Sequence, residues 1–289
     1  MKQGTAKLQL LGAMGIFGTI GIFTHYIPLP SAAIACLRGV FGVAFLLLVM
    51  LFMGKKPDWK AIRKKLVLLC VSGAAIGFNW VLLFEGYRYS VPTATVCYYM
   101  APLFMILASP LVGEKLNARK LLCVAVALIG MVPVSGIVQG MHANGTIIYG
   151  VLFGLGAAVL YASVILMNRK LGNVAAYDRT VVQLGAAAVV VLPYVLLTDG
   201  FGLGGLDLTG WLLLITVGIV HTGLAYAMYF AAMGKLKTQT VAILSYLDPV
   251  LAIILAALIL HQSMDAWQIA GTILVLGSAL YSELPAKQR

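Results

Sequence analysis

Long apolar runs separated by short polar connections dominate the pattern of this sequence. A helix needs roughly 20 mainly apolar residues to cross the hydrocarbon layer of a bilayer, and the chain offers ten such runs. Glycine, proline and charged residues mark their ends. The predicted helices cover residues 8–25, 32–53, 66–86, 91–112, 119–138, 146–168, 177–197, 210–233, 238–260 and 266–284. The pattern therefore predicts an all-α integral membrane protein with ten transmembrane helices.

The composition supports a membrane protein and excludes several other classes. Hydrophobic residues make up 62% of the chain and charged residues only 10%, whereas soluble domains carry about 25% charged residues. The net charge of +11 does not indicate nucleic-acid binding, because the basic residues lie in short loops and form no patch on a soluble domain. The cysteines lie inside predicted spans without CxxC spacing, so we expect no disulfide framework, metal site or cofactor. They are Cys36, Cys70, Cys97 and Cys123.

The distribution of basic residues predicts an orientation in the membrane. If the N-terminus is cytoplasmic, 18 of the 20 Lys and Arg residues lie on the cytoplasmic side. Arg88 lies on the other side, and Arg38 lies within a span. The basic run at 55–65 is interpreted as a loop between helices two and three that signals topology near anionic lipid. The positive-inside rule therefore predicts a multi-pass protein of the cytoplasmic membrane with both termini in the cytoplasm.

The sequence repeats weakly when it is shifted against itself by 147 residues, so that Tyr99 falls on Tyr246 and Pro102 on Pro249. Further identities pair Thr93 with Thr240, Ile106 with Ile253, Leu111 with Leu258 and Gly130 with Gly277. Each half contains five predicted helices, an odd number, so the second half must enter the membrane from the opposite side. We therefore expect two inverted repeats, 1–138 and 146–289, joined by a linker at 139–145. Inverted repeats with matching discontinuities are typical of secondary transporters.

Asp248 and the adjacent Pro249 interrupt the apolar run of the ninth predicted helix. An ionisable side chain at membrane depth costs free energy unless it is partnered, protonated or hydrated, so by default it indicates a functional site. The proline withdraws a backbone N–H and leaves carbonyl groups free. Counting about 1.5 Å per residue places Asp248 near the bilayer midplane. We expect it to bind a proton or a substrate ammonium; the alternative is a buried ion pair or a bond to freed backbone groups.

Two further ionisable residues lie within apolar helices. Arg38, in the second helix, is predicted at nearly the depth of Asp248, where its planar fork could bind a carboxylate or phosphate. Its alternative role is a counterion that locks Asp248. His221, in the middle of the eighth helix, could relay a proton because imidazole titrates near neutral pH. A hydrogen-bonded packing residue is the alternative for this histidine.

Four polar or aromatic residues complete the predicted substrate site. Asn79 could bind a substrate amide, carboxylate or hydroxyl, and Trp80 offers its face to an apolar or cationic group. The alternatives are an interhelical hydrogen bond for Asn79 and an interface anchor for Trp80. Tyr99 and Tyr246 occupy matching positions, each three residues before a proline. They are predicted to line a cavity, with ordinary packing as the alternative.

These features resemble the EamA-type branch of the drug/metabolite transporter superfamily, over essentially the whole chain. The likeness is carried by ten helices in two halves, by Arg38, by Pro102 followed by Gly113-Glu114, and by Pro249. It implies export or import of amino acids, other metabolites, nucleotide-linked compounds or drugs through a central cavity, commonly by proton coupling or exchange. The family often has a glutamate at the end of helix nine, where this chain has His261. A role of that glutamate is therefore not transferred to the second half.

The leading functional hypothesis is a secondary transporter that moves a small polar metabolite, best an amino acid or related compound, by alternating access. Arg38 would face the carboxylate of such a zwitterion and Asp248 its ammonium. The alternative is a proton-coupled exporter of cationic or lipophilic drugs, and a channel is a further option. An enzyme is disfavoured because no HExxH motif, paired carboxylates or Ser/His/Asp set lies at one depth. The expected partners are a small-molecule substrate and membrane lipid, with the chain acting as a monomer or homodimer.

Overall fold

The computed structural model describes residues 3–108, 118–134, 147–233, 235–236 and 238–284. All regular elements in these ranges are helical, which confirms the predicted all-α class. The predicted linker at 139–145 and the Gly113-Glu114 motif lie outside them. The α-helices are α1 (Gln3–His25), α2 (Ser31–Phe52), α3 (Trp59–Tyr89), α4 (Val91–Tyr98), α5 (Ala101–Leu107), α6 (Ala118–Val134), α7 (Ile147–Arg169), α8 (Ala176–Leu197), α9 (Leu208–Thr216), α10 (Ala225–Met233), α11 (Thr238–Ser245), α12 (Leu247–Ile259) and α13 (Ala266–Glu283). A short 3₁₀ helix covers Leu203–Gly205, and a π-helical segment, Val217–Leu224, joins α9 to α10.

Six helical stretches of the described chain are long enough and apolar enough to cross a membrane. They are Gly4–His25, Ser31–Phe52, Trp59–Tyr89, Ile147–Asn168, Ala176–Leu197 and Leu208–Tyr229. Shorter apolar helical stretches lie where the other four spans are predicted, at Val91–Leu107, Leu121–Val134, Leu247–Ile259 and Ala266–Ser282. Two of these four belong to segments that contain the proline interruptions at Pro102 and Pro249.

The third helix is longer than its predicted range of 66–86, since α3 runs from Trp59 to Tyr89. Its first turn is capped by the carboxylate of Asp58, which accepts hydrogen bonds from the backbone N–H groups of Lys60 at 3.1 Å and Ala61 at 3.0 Å. Most of the basic run predicted as a loop is therefore helical. The prediction was wrong because it ended the helix at the apolar limit, whereas a capped helix continues into charged sequence.

Two prolines divide the fourth and ninth predicted helices into two pieces each. α4 ends at Tyr98, four residues before Pro102, and α11 ends at Ser245, four residues before Pro249. A proline cannot donate to the carbonyl group four residues earlier and clashes with it, which favours a kink or break at that position. The breaks leave Tyr99 and Tyr246 at the helix ends.

The helices form one packed bundle in which the two broken segments meet in the interior. α3 packs against α7 and α8, and α2 packs against α8 and the π segment. α1 packs against α10 and α12, while α4 and α5 pack against α7. α6 and α13 form a separate close pair, and α4 contacts α12. This arrangement brings α11 and α12 against α1, and α4 against α12.

Candidate functional site

Asp248 lies in the first turn of α12 and is only partly buried. The Tyr99 hydroxyl at the end of α4 donates a hydrogen bond to Asp248 Oδ2 at 2.7 Å. The rings of Tyr99 and Tyr246 also meet, with centroids 5.9 Å apart and planes inclined at 50°. Three of the residues predicted for the site are therefore brought together where the two broken segments meet.

The backbone of α1 supports Asp248 from behind. A Cβ atom at Gly18 would lie 2.9 Å from the Asp248 carbonyl oxygen and 2.9 Å from Leu251 Cβ. Only a glycine allows α1 and α12 to approach this closely. The position of the carboxylate therefore depends on a third helix as well as on the two breaks.

Further aromatic rings pack against one another in this part of the bundle. Tyr98 lies 5.3 Å from Tyr161 and 6.0 Å from Tyr99, measured between ring centroids. Tyr226 packs edge-on against Phe17 at 5.4 Å. We call Tyr87, Tyr98, Tyr99, Tyr161, Tyr226 and Tyr246 the tyrosine cluster. It provides large apolar faces together with hydroxyl groups that can donate or accept hydrogen bonds.

Arg38 is 3% exposed and is held on α2 by two kinds of contact. Its Nε donates a hydrogen bond of 2.9 Å to the Thr222 hydroxyl. Its guanidinium carbon lies 4.0 Å above the ring centroid of Trp80 and 5.2 Å from that of Phe84. A desolvated cation over an aromatic face gains about 2 kcal/mol. Trp80 was predicted to offer its ring face to an apolar or cationic group. In the structure the cation on that face is Arg38.

Arg38 and Asp248 do not form the ion pair considered as an alternative. In the described part of the chain the only pair of opposite charges within 4.0 Å is Arg88 with Glu85, at 3.4 Å. The side chains of Tyr87, Tyr98 and Tyr226 interact electrostatically with both Arg38 and Asp248. Arg38 and Asp248 are therefore not paired with each other but lie within electrostatic range of the same three tyrosines.

Asn79 and His221 have protein partners. Asn79 donates its amide to the Ala157 carbonyl oxygen at 2.5 Å, joining α3 to α7. His221 is 1% exposed, with Nε2 2.8 Å from the Thr19 hydroxyl and Nδ1 3.4 Å from the Thr216 carbonyl oxygen. These contacts correspond to the packing alternatives for both residues, and neither contacts Asp248 directly.

Three residues around Arg38 are absent from the sequence-based prediction. Phe84 and Tyr87 follow Trp80 by four and seven residues on α3, a spacing that places all three on one helical face. That spacing was the available signal. No signal pointed to Thr222, because its role depends on the π segment and on the approach of α2.

A cavity of about 730 Å³ opens at the end of the bundle where α1 ends and α2 begins. Its lining is partly polar, with Ser31, Arg88 and Asp199, and partly apolar. Phe84 and Tyr87 also line it, although Arg38 and Asp248 do not. Phe84 therefore contacts both this cavity and the Arg38 guanidinium.

Six apolar helical stretches in the described ranges are long enough to cross a membrane, and Arg38 is buried among them. These features define a multi-pass membrane protein. The chain belongs to the EamA-like transporter family, whose sequence profile matches residues 5–136 and 148–282. This confirms the resemblance seen in the sequence. Transport is the activity that the family name indicates, and it is not an enzymatic reaction.

Individual relatives support the same class. The chain is 28% identical to the uncharacterized transporter YxxF of Bacillus subtilis, covering 96% of this chain and 90% of the relative. It is 27% identical to a probable amino-acid metabolite efflux pump of Salmonella typhimurium and 26% identical to one of Escherichia coli, covering 95% of this chain and 92% of each relative. A crystal structure that is 20% identical superposes with a TM-score of 0.64 over 96% of each chain. That similarity supports the fold alone.

Proposed function

We propose that the protein is a secondary active transporter that moves a small zwitterionic metabolite, best an amino acid or related compound, by alternating access. The observation that carries this proposal is the placement of Arg38 and Asp248. Arg38 supplies a buried cation held by Thr222 and Trp80, and Asp248 supplies a carboxylate held by Tyr99; Tyr87, Tyr98 and Tyr226 interact electrostatically with both. A substrate with a carboxylate and an ammonium complements both.

The desolvation cost of the unpaired Arg38 and Asp248 side chains favours a substrate that binds both. A charge removed from water without an opposite partner carries a large desolvation cost. Within the described residues Arg38 uses only Nε in a hydrogen bond, and Asp248 uses only Oδ2. The two Nη groups of Arg38 and the second oxygen of Asp248 can therefore serve a ligand. Asn79, Trp80, Tyr99 and Tyr246 would support this site around the ligand.

The relatives favour amino acids and outward transport. Two of them, which align along almost their full length, are named as probable amino-acid metabolite efflux pumps. This chain is about as similar to them as to its uncharacterized relatives, so the assignment of an amino acid remains part of our proposal. The charge pattern at Arg38 and Asp248 supports the same class of substrate independently.

The proposed mechanism requires two inverted halves, residues 1–138 and 146–289. The helix contacts support this division, since α3 packs on α7 as α1 packs on α10. Likewise α4 packs on α7 as α12 packs on α1. The proline breaks are separated by 147 residues, and the family profile matches the chain twice. Rocking of one half against the other would expose the central site to each side in turn.

The proposed orientation places the basic end of the bundle in the cytoplasm. This end includes Lys56, Lys60 and Arg63 near the start of α3, and Arg179 near the start of α8. Anionic lipid and the positive-inside rule favour that placement in the cytoplasmic membrane, with both termini cytoplasmic. The cavity of about 730 Å³ would then open to the outside.

Proton coupling is assigned in the proposal to Asp248, with His221 as a second group. A carboxylate that alternates between a proton and a substrate ammonium would couple the two movements. His221 does not touch Asp248, but α1 links them, because Gly18 packs on Asp248 and the next residue, Thr19, bonds His221. Exchange of one metabolite for another is the alternative mode of coupling.

The test is flux into proteoliposomes that contain the purified protein, using a panel of radiolabelled L-amino acids with and without an imposed pH gradient. We expect saturable uptake or counterflow of at least one amino acid, and its loss in Asp248→Asn and Arg38→Gln. Arg63→Gln, at an exposed position, is the matched control for Arg38. The absence of saturable flux for every amino acid in the panel would refute this version of the function.

A proton-coupled exporter of cationic or lipophilic drugs is the second candidate. The observation in its favour is that Asp248 lies among tyrosine rings, which suit an organic cation. Such a cargo has no carboxylate for Arg38. The drug hypothesis therefore predicts that Asp248→Asn abolishes drug resistance while Arg38→Gln retains it, whereas a zwitterion requires both residues.

A further inference from the structure

We propose that Thr222 is a positioning residue that fixes the Arg38 guanidinium so that its two Nη groups face the substrate carboxylate. This inference rests on the proposed function, because it assigns a specific task within the same site. The task is geometric, since a planar fork binds a carboxylate through two parallel hydrogen bonds only when its rotation is fixed.

The first part of the argument is the hydrogen-bond direction at Thr222. Its hydroxyl donates to the Val217 carbonyl oxygen, five residues earlier, at 3.0 Å. A threonine hydroxyl has one hydrogen, so the same oxygen must accept the bond from Arg38 Nε at 2.9 Å. The donor and acceptor roles of this hydroxyl are therefore both determined by the protein.

The second part is the helix geometry that makes this possible. Thr222 lies in the π segment Val217–Leu224, where the backbone is wound more widely than in an α-helix. Single π turns within α-helices are frequent at functional sites. The carbonyl group that receives the Thr222 hydroxyl belongs to the first residue of this segment. The π segment thus orients the Thr222 side chain toward α2.

The third part is the close approach of α2 to the π segment. A Cβ atom at Gly42, one helical turn after Arg38, would lie 3.1 Å from Thr222 Cβ and even closer to its methyl group. Glycines at 218 and 223 allow similar contacts with Phe41 and Phe45. Because glycines occupy these three positions, α2 and the π segment approach closely enough for Thr222 to bond Arg38.

Together the contacts determine the orientation of the guanidinium. The Trp80 ring, whose centroid is 4.0 Å from the guanidinium carbon, supports the group on one side. The bond from Nε to Thr222 restrains its rotation. The remaining donors are the two Nη groups, which form no hydrogen bond with any described residue. Loss of the Thr222 hydroxyl would free the rotation but leave the charge in place.

The test uses Trp80 as a spectroscopic reporter of Arg38. Replacing Trp59, Trp211 and Trp267 with phenylalanine leaves Trp80 as the only tryptophan in the chain. In this background Arg38→Met defines the emission spectrum without a cation over the ring. Thr222→Val keeps the methyl group and removes the hydroxyl, whereas Thr222→Ser does the opposite. Thr216→Val is the matched control, because Thr216 is half-buried and its hydroxyl bonds the Leu212 carbonyl group instead of Arg38.

We expect the Thr222→Val spectrum to shift toward that of Arg38→Met, while Thr222→Ser and Thr216→Val match the parent. If Thr222→Ser shifted toward Arg38→Met while Thr222→Val matched the parent, the methyl group would matter through packing on Gly42. That result would overturn the proposal. Equal shifts in both variants, or no shift in either, would overturn it as well. The measurement needs no substrate, so it separates this inference from the proposed function.

A transport measurement completes the test. For an amino acid that the wild-type protein carries, Thr222→Val should raise KM about tenfold with a smaller effect on the maximal rate, and Thr222→Ser should restore the wild-type value. A loss of maximal rate at unchanged KM would contradict the positioning role. If the wild-type protein carries no amino acid, the proposed function fails, and the fluorescence result still decides the role of Thr222.

Discussion

The Tyr99 hydroxyl donates a hydrogen bond of 2.7 Å to the Asp248 carboxylate, joining the break between α4 and α5 to the break between α11 and α12. Each residue lies within three positions of a proline that ends the preceding helix. The bond therefore connects the two discontinuities at the centre of the bundle. It is also the only hydrogen bond of the Asp248 carboxylate among the described residues, so the orientation of this group depends on one hydroxyl.

Tyr99→Phe should impair transport while leaving the fold intact. A hydrogen bond to a charged group contributes about 1.5–3 kcal/mol, and its loss allows the carboxylate to rotate away from the substrate ammonium. We expect kcat/KM to fall by about tenfold or more, measured as initial flux in proteoliposomes. Tyr98→Phe is the matched control, because Tyr98 contacts the Tyr99 ring without bonding Asp248. Equal losses in the two variants would contradict a specific role for the Tyr99 hydroxyl.

Arg38→Lys should be almost as damaging as loss of the charge. Lysine keeps the positive charge but has neither the planar fork nor the Nε–H that bonds Thr222. Stacking of a desolvated guanidinium over Trp80 contributes about 2 kcal/mol, so we expect kcat/KM to fall by more than about tenfold. Arg63→Lys, at an exposed position of α3, serves as the control. Wild-type kinetics in Arg38→Lys would show that charge alone is sufficient.

Gly18→Ala should lower both stability and transport, because the new methyl group would lie 2.9 Å from the Asp248 carbonyl oxygen. Overpacking of this kind costs about 1–3 kcal/mol. Gly15→Ala, in the same helix, meets nothing within 4 Å and should be neutral or slightly stabilising. Thermal unfolding in detergent and flux measure the two effects. Similar behaviour of the two variants would argue against the close approach of α1 and α12.

Gly271→Ala should reduce stability without changing substrate affinity. Gly271 lies against Gly130 where α6 and α13 cross, and a Cβ atom at Gly130 would in turn lie 2.8 Å from the Gly271 carbonyl oxygen. This contact belongs to a helix pair distant from Arg38. Gly277→Ala, also on α13, meets nothing within 4 Å and is the control. We expect a lower unfolding temperature for Gly271→Ala at unchanged KM; a changed KM would mean that this helix pair contributes to the binding site.

The proposed orientation predicts opposite labelling of two loops. In a background without the native cysteines, Gly204→Cys should react with a membrane-impermeant thiol reagent on intact cells. Lys56→Cys should react only after the cells are permeabilised, because the basic end of the bundle faces the cytoplasm under the positive-inside rule. Both positions are exposed, so accessibility differs only by side of the membrane. Labelling of Lys56→Cys on intact cells would reverse the proposed topology.

Much of the site was predictable because its signals are local. Pro102 and Pro249 indicated where the fourth and ninth segments are interrupted, and counting residues predicted Asp248 near mid-depth. The ion pair of Arg38 with Asp248, considered as an alternative, is absent, since similar depth does not determine which faces of two helices meet. The extent of α3 was also misjudged, because a capped helix continues beyond the apolar sequence.

The sequence by itself determined that the chain crosses a membrane and that prolines interrupt two of its apolar segments, and it predicted which residues lie at mid-depth. These properties follow from hydropathy, the length of a residue along a helix and the chemistry of proline, all of which act within a short segment. Only the tertiary structure decided that Tyr99 bonds Asp248, that Arg38 rests on Trp80 and Thr222, and that Gly130 packs on Gly271 in place of its repeat counterpart Gly277. These contacts depend on how helices distant in sequence rotate and approach, and small residues and the π segment determine that approach through packing.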